Sequence, residues 1–343
     1  MATLALIHSQ GWGDLGVVYD NMLDLVAASS LFSLVLCVFL LIKGWVAPSS
    51  SDTILSGNPL TDFFRGPELY PRVLGVDLKV LVNCRLGMMS WPILLVCFLV
   101  RQGQIYGEVS DTMYVSVGVQ LIYIAKFFYW ETGYMDTIDI IHDHFGFYIC
   151  WGCFTWLPSL YTNCTFYLVR HPINVGTLSY LLFVLGVLAV ALNYAIDEER
   201  QRFRRTRGNT TIWGKKPEYI VAPYTTTSGS EKSKCRREIR VCFHIFHIFS
   251  LFLRFFHWLE SLLLISGWWG ISRHFNYVAE LAAALLWTPP VMTDILPYGY
   301  FIFLVILLVH RSIRDEQRCM LKYGQSYADY MTRVPYKMIP GIF

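Results

Sequence analysis

Residues 178–207 read LSYLLFVLGVLAVALNYAIDEERQRFRRTR. The stretch 178–196 carries no charged side chain, and from Asp197 onward acids and arginines crowd together. A membrane-crossing helix needs roughly 20 mostly apolar residues at 1.5 Å per residue. The spacing therefore predicts one spanning helix that runs on into a basic stripe. Arg200 and Arg204 are four apart and share one face of that helix. Outward from this stretch, further apolar runs occupy about 25–42, 86–100, 113–130, 145–169, 242–266 and 278–310.

The composition agrees. Of 343 residues, 55% are hydrophobic and only 15% are charged, against about 25% charged in soluble domains. The mean hydropathy is +0.42. A soluble enzyme, a disordered chain and a fibrous protein are excluded. A net charge of +3 is too small for a nucleic-acid partner. Residues 1–24 carry Asp14, Asp20 and Asp24 and do not read as a signal peptide.

Charge placement predicts the topology. Thirteen of the 28 basic residues fall in 197–216 and 311–343, so both segments are expected to face the cytosol. The run 278–310 is too long for one span, and Pro289, Pro290 and Pro297 divide it into two short helices forming a hairpin. The run 86–100 is short and holds Pro92, so its helix is expected to be kinked or to start earlier. The run 242–266 carries His244, His247, Arg254, His257 and Glu260. Ionisable groups are costly at the bilayer centre, and this run is expected to lie at the interface. The expected fold is all-α: a polytopic transmembrane helical bundle with its C-terminal helical region facing the cytosol. Residues 1–196 supply transmembrane helices, and 197–343 supply the basic region.

Several clusters carry candidate chemistry. Cys150 and Cys153 match C-x-x-C, but no βαβ unit surrounds them, so packing is the expectation. Asp139, His142, Asp143 and His144 lie too unevenly around a helix for a shared metal, and a polar pocket at the membrane edge is expected. Residues 268–277, WWGISRHFNY, are denser in Arg, His, Asn and Tyr than an interfacial aromatic belt requires, and they read as a site. The Arg200/Arg204 stripe and the stripe of Arg311, Arg314, Arg318 and Lys322 suit a phosphate-rich ligand, since guanidinium forks match phosphate geometry. No glycine-rich nucleotide fingerprint follows a strand, so helices would have to bind such a ligand.

The chain resembles the sterol reductase family over nearly all of residues 10–343. The resemblance rests on the tail HRSIRDEQRC at 310–319, on Lys322-Tyr323-Gly324, and on VPYKMIPGIF at 334–343. It also rests on IHDHFG at 141–146, Trp156-Leu157-Pro158, Phe203-Arg204-Arg205-Thr206, Ile212-Trp213-Gly214 and Arg273-His274-Phe275-Asn276-Tyr277, in the family's order. The His-Asp-His and Pro-Gly-Ile-Phe details are closer to the family's Δ7 branch than to its Δ14 branch. The resemblance implies an NADPH-dependent, multi-pass enzyme of the endoplasmic reticulum membrane. Its reaction would be reduction of the C7–C8 double bond of a sterol, of the 7-dehydrocholesterol-to-cholesterol type, late in sterol biosynthesis. Implied partners are the sterol substrate, membrane lipids and other enzymes of sterol biosynthesis. Implied cofactor contacts are Arg200, Arg204, Leu264, Trp269, Asn276, Tyr277, Asp315, Cys319, Met320, Leu321, Lys322, Tyr323 and Tyr330. An isolated ring C=C is not polarised, so it needs a proton as well as a hydride. Asp315, Tyr330 and Tyr161 are the candidate donors.

The chain departs from the family's pattern in places. It is expected to begin later than other members, which have further spans before the counterpart of residue 10. Residues 235–261 have no counterpart and read as an insertion. Arg200 replaces a lysine, Cys153 an aspartate and Cys164 a glutamine. Other functions compete: a non-catalytic sterol-binding homologue, a sterol Δ14-reductase, and a methyltransferase of the isoprenylcysteine type. The last would bind S-adenosylmethionine, which has no 2′-phosphate to occupy the Arg200/Arg204 pair.

Overall fold

The computed structural model describes residues 14–49, 53–135, 137–223 and 260–343. Helices dominate it. α1 (Gly16–Asp20) leads into α2 (Met22–Val46), a run rich in leucine and valine. α3 (Pro59–Arg65) begins where the Asn58 side chain accepts from the N–H groups of Leu60 and Thr61, at 3.0 and 3.4 Å. Pro59 occupies the first helical position, where its missing N–H is not needed. A two-residue hairpin, β1 (Arg72–Val73) with β2 (Val76–Asp77), precedes α4 (Leu78–Tyr106). Asp77 caps α4 by accepting from Val80 N at 3.0 Å. α4 widens into a π-helical turn over Leu81–Gly87 and carries Pro92 in its interior. The run about Pro92 thus starts earlier than its apolar core.

α5 (Asp111–Tyr129) follows, then two single turns, Glu131–Tyr134 and Ile138–Ile141. The run 145–169 is not one regular helix. It forms α6 (Phe147–Trp151), a π-helical stretch Gly152–Tyr161 holding Pro158, and α7 (Asn163–Arg170). Proline supplies no N–H to an i→i−4 ladder, which accounts for the irregular middle. α8 (Leu178–Arg205) is the helix read from the opening stretch, and Arg202, Arg204 and Arg205 lie at its carbonyl-rich end, the favourable place for cations. β3 (Tyr219–Pro223) and β4 (Glu260–Leu264) pair antiparallel, Tyr219 with Leu264 through Pro223 with Glu260. Then come α9 (Trp268–Ile271), α10 (Phe275–Trp287), a 3₁₀ turn Leu296–Tyr298, α11 (Gly299–Tyr323) and α12 (Gln325–Arg333).

Among the described residues, four helices are long and apolar enough to cross a membrane: Met22–Val46, Leu78–Tyr106, Leu178–Arg205 and Leu296–Tyr323. One further expectation needs correction. The second half of 278–310 is not a short helix, because beyond the break that ends before Leu296 the chain stays helical to Tyr323. The 113–130 run forms one regular helix, α5, with Ser116, Gln120 and Lys126 as its polar members. The inserted run 235–261 lies outside the described residues up to 259, but Glu260 and Ser261 pair as strand with Pro223 and Ala222. The two small hairpins are the only strands among the described residues, and the all-α architecture holds.

The chain divides into two compact units. The first comprises residues 1–190 and 281–304, and the second 191–280 and 305–343. In the first, Trp91 is 1% exposed, and its indole donates to Gln120 Oε1 at 2.9 Å. The Gln120 amide donates in turn to Ser116 Oγ (3.0 Å) and Thr165 Oγ1 (2.8 Å). Trp91 meets Tyr123, Tyr161, Trp287 and Tyr300 at ring separations of 5.2–6.3 Å. Elsewhere in this unit the Lys79 ammonium is buried and donates to the carbonyls of Ile140 and Asp143, at 2.8 and 2.5 Å. The His-Asp-His cluster is tied up locally: His142 bonds Asp143 at 3.1 Å, and His144 donates to the carbonyls of Gly66 and Pro67. Gly66 and Gly146 pass so closely that a Cβ on Gly66 would lie 2.4 Å from Gly146 N, so neither position admits a side chain. Cys150 and Cys153 pack into a core with Cys37, Leu40 and Val82, the packing role expected of them.

Candidate functional site

The second unit is built around the charged end of α8. Ile196, Phe203, Ile212, Leu264, Trp269 and Ala279 form its first apolar cluster. Ala222, Leu263, Tyr327, Tyr330 and Val334 form the second and seat α12 against the β3–β4 hairpin. A cleft opens beside them. α8 lines it with Arg200, Phe203 and Arg204, and β4 with Leu262 to Leu264. Trp269, Arg273 and His274 come from the turns around α9, Asp315 and Cys319 from α11, and Tyr327 and Tyr330 from α12.

Each wall is fixed by identifiable bonds. The Trp269 indole donates to Ile196 O at 2.9 Å, and its ring lies 4.0 Å from the Arg200 guanidinium. A guanidinium over an indole face is attracted by the ring quadrupole. Arg200 also stands 3.8 Å from Asp197, whose other neighbour is the Asn276 amide at 3.1 Å. Arg273 is 7% exposed, and all three of its guanidinium nitrogens donate. It donates from Nε and Nη2 to Glu316 Oε1 (2.8 and 2.6 Å), and from Nη1 to the carbonyls of Val334 (2.5 Å) and Pro335 (2.9 Å). Lys337 takes the other Glu316 oxygen at 3.0 Å. Backbone bonds run alongside, Arg273 N to Tyr336 O and His274 N to Lys337 O. This clamp joins the loop before α10, the middle of α11 and the tail 334–337. It fixes Asp315, the neighbour of Glu316, on the cleft side.

Electrostatics set the protonation of the lining. Burial pushes the His274 imidazole down to about 3; Glu316 opposes this, and Arg200, Arg273 and Lys337 reinforce it. His274 is therefore neutral at physiological pH. Its ring stacks on Tyr277 at 5.0 Å, and its Nε2 is buried without a partner. Burial raises the Tyr330 phenol to about 12, against the pull of Arg273, Arg200 and Arg204. Tyr330 thus keeps its proton while facing three guanidinium groups.

Of the residues expected at the site, Arg200, Arg204, Leu264, Trp269, Asp315, Cys319 and Tyr330 line this one cleft. Asn276 sits behind Arg200 through Asp197, with its Oδ1 buried and unpartnered. Tyr277 stacks on His274. Tyr323 bonds Ser261 Oγ at 3.2 Å, and Lys322 lies over the Tyr323 ring. Met320 and Leu321 turn to another face of α11, where Leu321 is 90% exposed. Tyr161 belongs to the first unit, 4.6 Å from Tyr300. Sequence reasoning flagged 268–277 for its polar density but gave Arg273 and His274 no role. It missed Glu316 and Lys337, whose only signal was charge in a segment already rich in charge.

The donor set can hold an anionic, phosphorylated ligand. Two guanidiniums four residues apart present charged forks, Trp269 offers a flat apolar shelf, and two orphaned polar atoms, His274 Nε2 and Asn276 Oδ1, remain to be satisfied. Fold and cleft together give a mostly helical protein with helices long and apolar enough to cross a membrane and a cleft lined by arginines and aromatic rings. The sequence comparisons narrow this. Residues 1–343 match the Ergosterol biosynthesis ERG4/ERG24 family, and the chain belongs to this family of sterol reductases. It is 46% identical, over 95% of its length, to a 7-dehydrocholesterol reductase of Arabidopsis thaliana, and 35% identical over 97% to one of Xenopus laevis. It is 33% identical over 99% to a Delta(14)-sterol reductase of Methylotuvimicrobium alcaliphilum. The chain spans 70%, 65% and 72% of the lengths of these three relatives.

Proposed function

We propose that this chain reduces the C7–C8 double bond of a sterol with NADPH, in the endoplasmic reticulum membrane and with its cleft open to the cytosol. The observation that carries the reading is the gathering of Arg200, Arg204, Trp269, Asp315 and Tyr330 around one cleft in a chain whose 46%-identical relative bears the Δ7 reductase name. Arg200 and Arg204 would hold the phosphates, and the Trp269 ring would support the cofactor's flat groups. His274 Nε2 and Asn276 Oδ1 would gain partners. When bound, NADPH supplies the hydride. The chain supplies the rest: orientation, exclusion of water and a proton.

The reaction needs one proton on one alkene carbon to match the hydride on the other, so that a C=C becomes CH–CH with charge balanced. Asp315 and Tyr330 stand beside the cleft as candidate donors, and Tyr330 is protonated throughout the physiological range. Tyr161 is the third candidate. It is surrounded by aromatic rings of the kind whose π faces stabilise positive charge.

The test is sterol analysis of membranes expressing the full chain, in a host lacking sterol Δ7- and Δ14-reductase activity, supplied with NADPH and a Δ7 or a Δ14 sterol. Loss of the C7–C8 bond is the expected result. Turnover of the Δ14 sterol alone would move the chain to the other branch of the family. No turnover of either would mark it as a non-catalytic sterol-binding homologue.

A further inference from the structure

Glu199 is an acid set among arginines at the end of α8, yet it is 7% exposed. Its Oε1 accepts the backbone N–H of Trp268 at 3.0 Å, and its carboxylate feels the nearby Trp213 side chain. Trp213 and Trp268 meet edge-on at 5.2 Å. The chain passes hard against this carboxylate. Gly267 has φ +65°, and a Cβ there would lie 2.3 Å from Glu199 Oε1. Only glycine serves at a position that needs both a left-handed backbone and no side chain.

The next residue after Trp268 is Trp269, whose indole is bonded to Ile196 O and whose ring carries the Arg200 guanidinium. Two points on α8, one helical turn apart, therefore fasten two successive residues. The ring that results lies under the cation that follows Glu199 in sequence. We propose that Glu199 is a positioning residue for the Arg200–Trp269 pair, holding it in the orientation that receives the phosphorylated cofactor. The inference rests on the cofactor reading above. Without Glu199, the Trp268 N–H loses its acceptor, the Trp269 ring is released on one side, and Arg200 must be ordered when ligand binds. That ordering weakens affinity without removing any atom that touches the ligand.

The experiment is an equilibrium NADPH titration of the detergent-solubilised full chain, read by energy transfer from tryptophan to NADPH. It compares wild type with Glu199→Ala, Glu199→Asp, Glu199→Gln, Arg200→Ala and the Glu199→Ala/Arg200→Ala double variant. Glu199→Ala is expected to raise Kd five- to tenfold. Glu199→Asp, which withdraws the carboxylate by one methylene but keeps its charge, should raise it about threefold. Glu199→Gln keeps an acceptor for Trp268 and should stay within twofold of wild type. The double variant should lose less than the sum of the two single losses, because part of what Glu199 positions, the Arg200 guanidinium, is already gone. Additive losses in the double variant, or unchanged Kd in both Glu199→Ala and Glu199→Asp while Arg200→Ala binds weakly, would overturn the positioning role and leave the cofactor reading standing. Unchanged affinity in Arg200→Ala as well would overturn both.

Discussion

The surroundings of Trp91 and of Arg273 make a useful contrast. Both side chains are nearly fully buried and both anchor several neighbours. Around Trp91 the partners are neutral: an amide, two hydroxyls and four aromatic rings. Around Arg273 they are a carboxylate, two carbonyls and, through Glu316, a lysine. The first arrangement suits an environment without counter-ions, where every polar group needs a neutral partner close by. The second suits a site that must hold ionic groups firmly beside a charged ligand. The lesson is that one family fold keeps two kinds of polar order, and that they should fail in different ways.

The largest expected effect follows from the charged clamp. Arg273→Ala leaves the half-buried Glu316 carboxylate with Lys337 alone, and breaking a buried pair costs up to about 3–5 kcal/mol. Thermal unfolding of the solubilised protein should show a large loss of stability; a loss below about 1 kcal/mol would erase the contrast with Trp91. Next comes the cleft itself. Removing a charge-assisted contact through Arg204→Ala should weaken NADPH binding by about 10- to 150-fold, the equivalent of about 1.5–3 kcal/mol, and equilibrium titration reads this directly.

A smaller effect concerns pH. Folded His274 takes a proton only near pH 3, whereas the unfolded side chain does so near 6.5. Between these values the unfolded chain binds more protons, so the stability present above pH 6.5 is lost as pH falls through that window. The difference reaches about 2 kcal/mol by pH 5. Stability measured against pH for wild type and His274→Phe should diverge from pH 6.5 downward, with the variant flatter. Parallel curves would show that His274 titrates normally. The smallest effect belongs to the neutral network. Gln120→Leu should cost about 1 kcal/mol, as membrane-interior hydrogen bonds do, and should leave NADPH affinity within twofold of wild type. A large change in affinity would show that the neutral network also governs the charged site.

Much of this was legible in the chain. The uncharged run before Asp197 announced a spanning helix because apolar length is a one-dimensional property. The Arg200/Arg204 spacing announced a shared helix face for the same reason. Two-proline breaks and the π-helical stretch over Gly152–Tyr161 were harder, since Pro158 marks where regularity fails but not how the backbone recovers. The cleft's lining was legible through family resemblance more than through pattern, and the bonds that hold it were not legible at all. Glu316 and Lys337 lie 21 positions apart, and nothing in local periodicity says that they pair or that Arg273 takes the same carboxylate. Glu199 was hidden by its setting, because an acid within a basic stripe looks like a solvated partner until its burial is seen.

The β3–β4 pairing brings Pro223 and Glu260 face to face, so two points 37 positions apart in sequence are held side by side. Entropy penalises the connection between two such ends only logarithmically, at about 0.6 kcal/mol for each doubling of its length. The hairpin is in effect a socket: a spot where evolution can lengthen the polypeptide, or an engineer can splice in a fluorescent domain, while the strands that present Leu264 to the cleft keep their register.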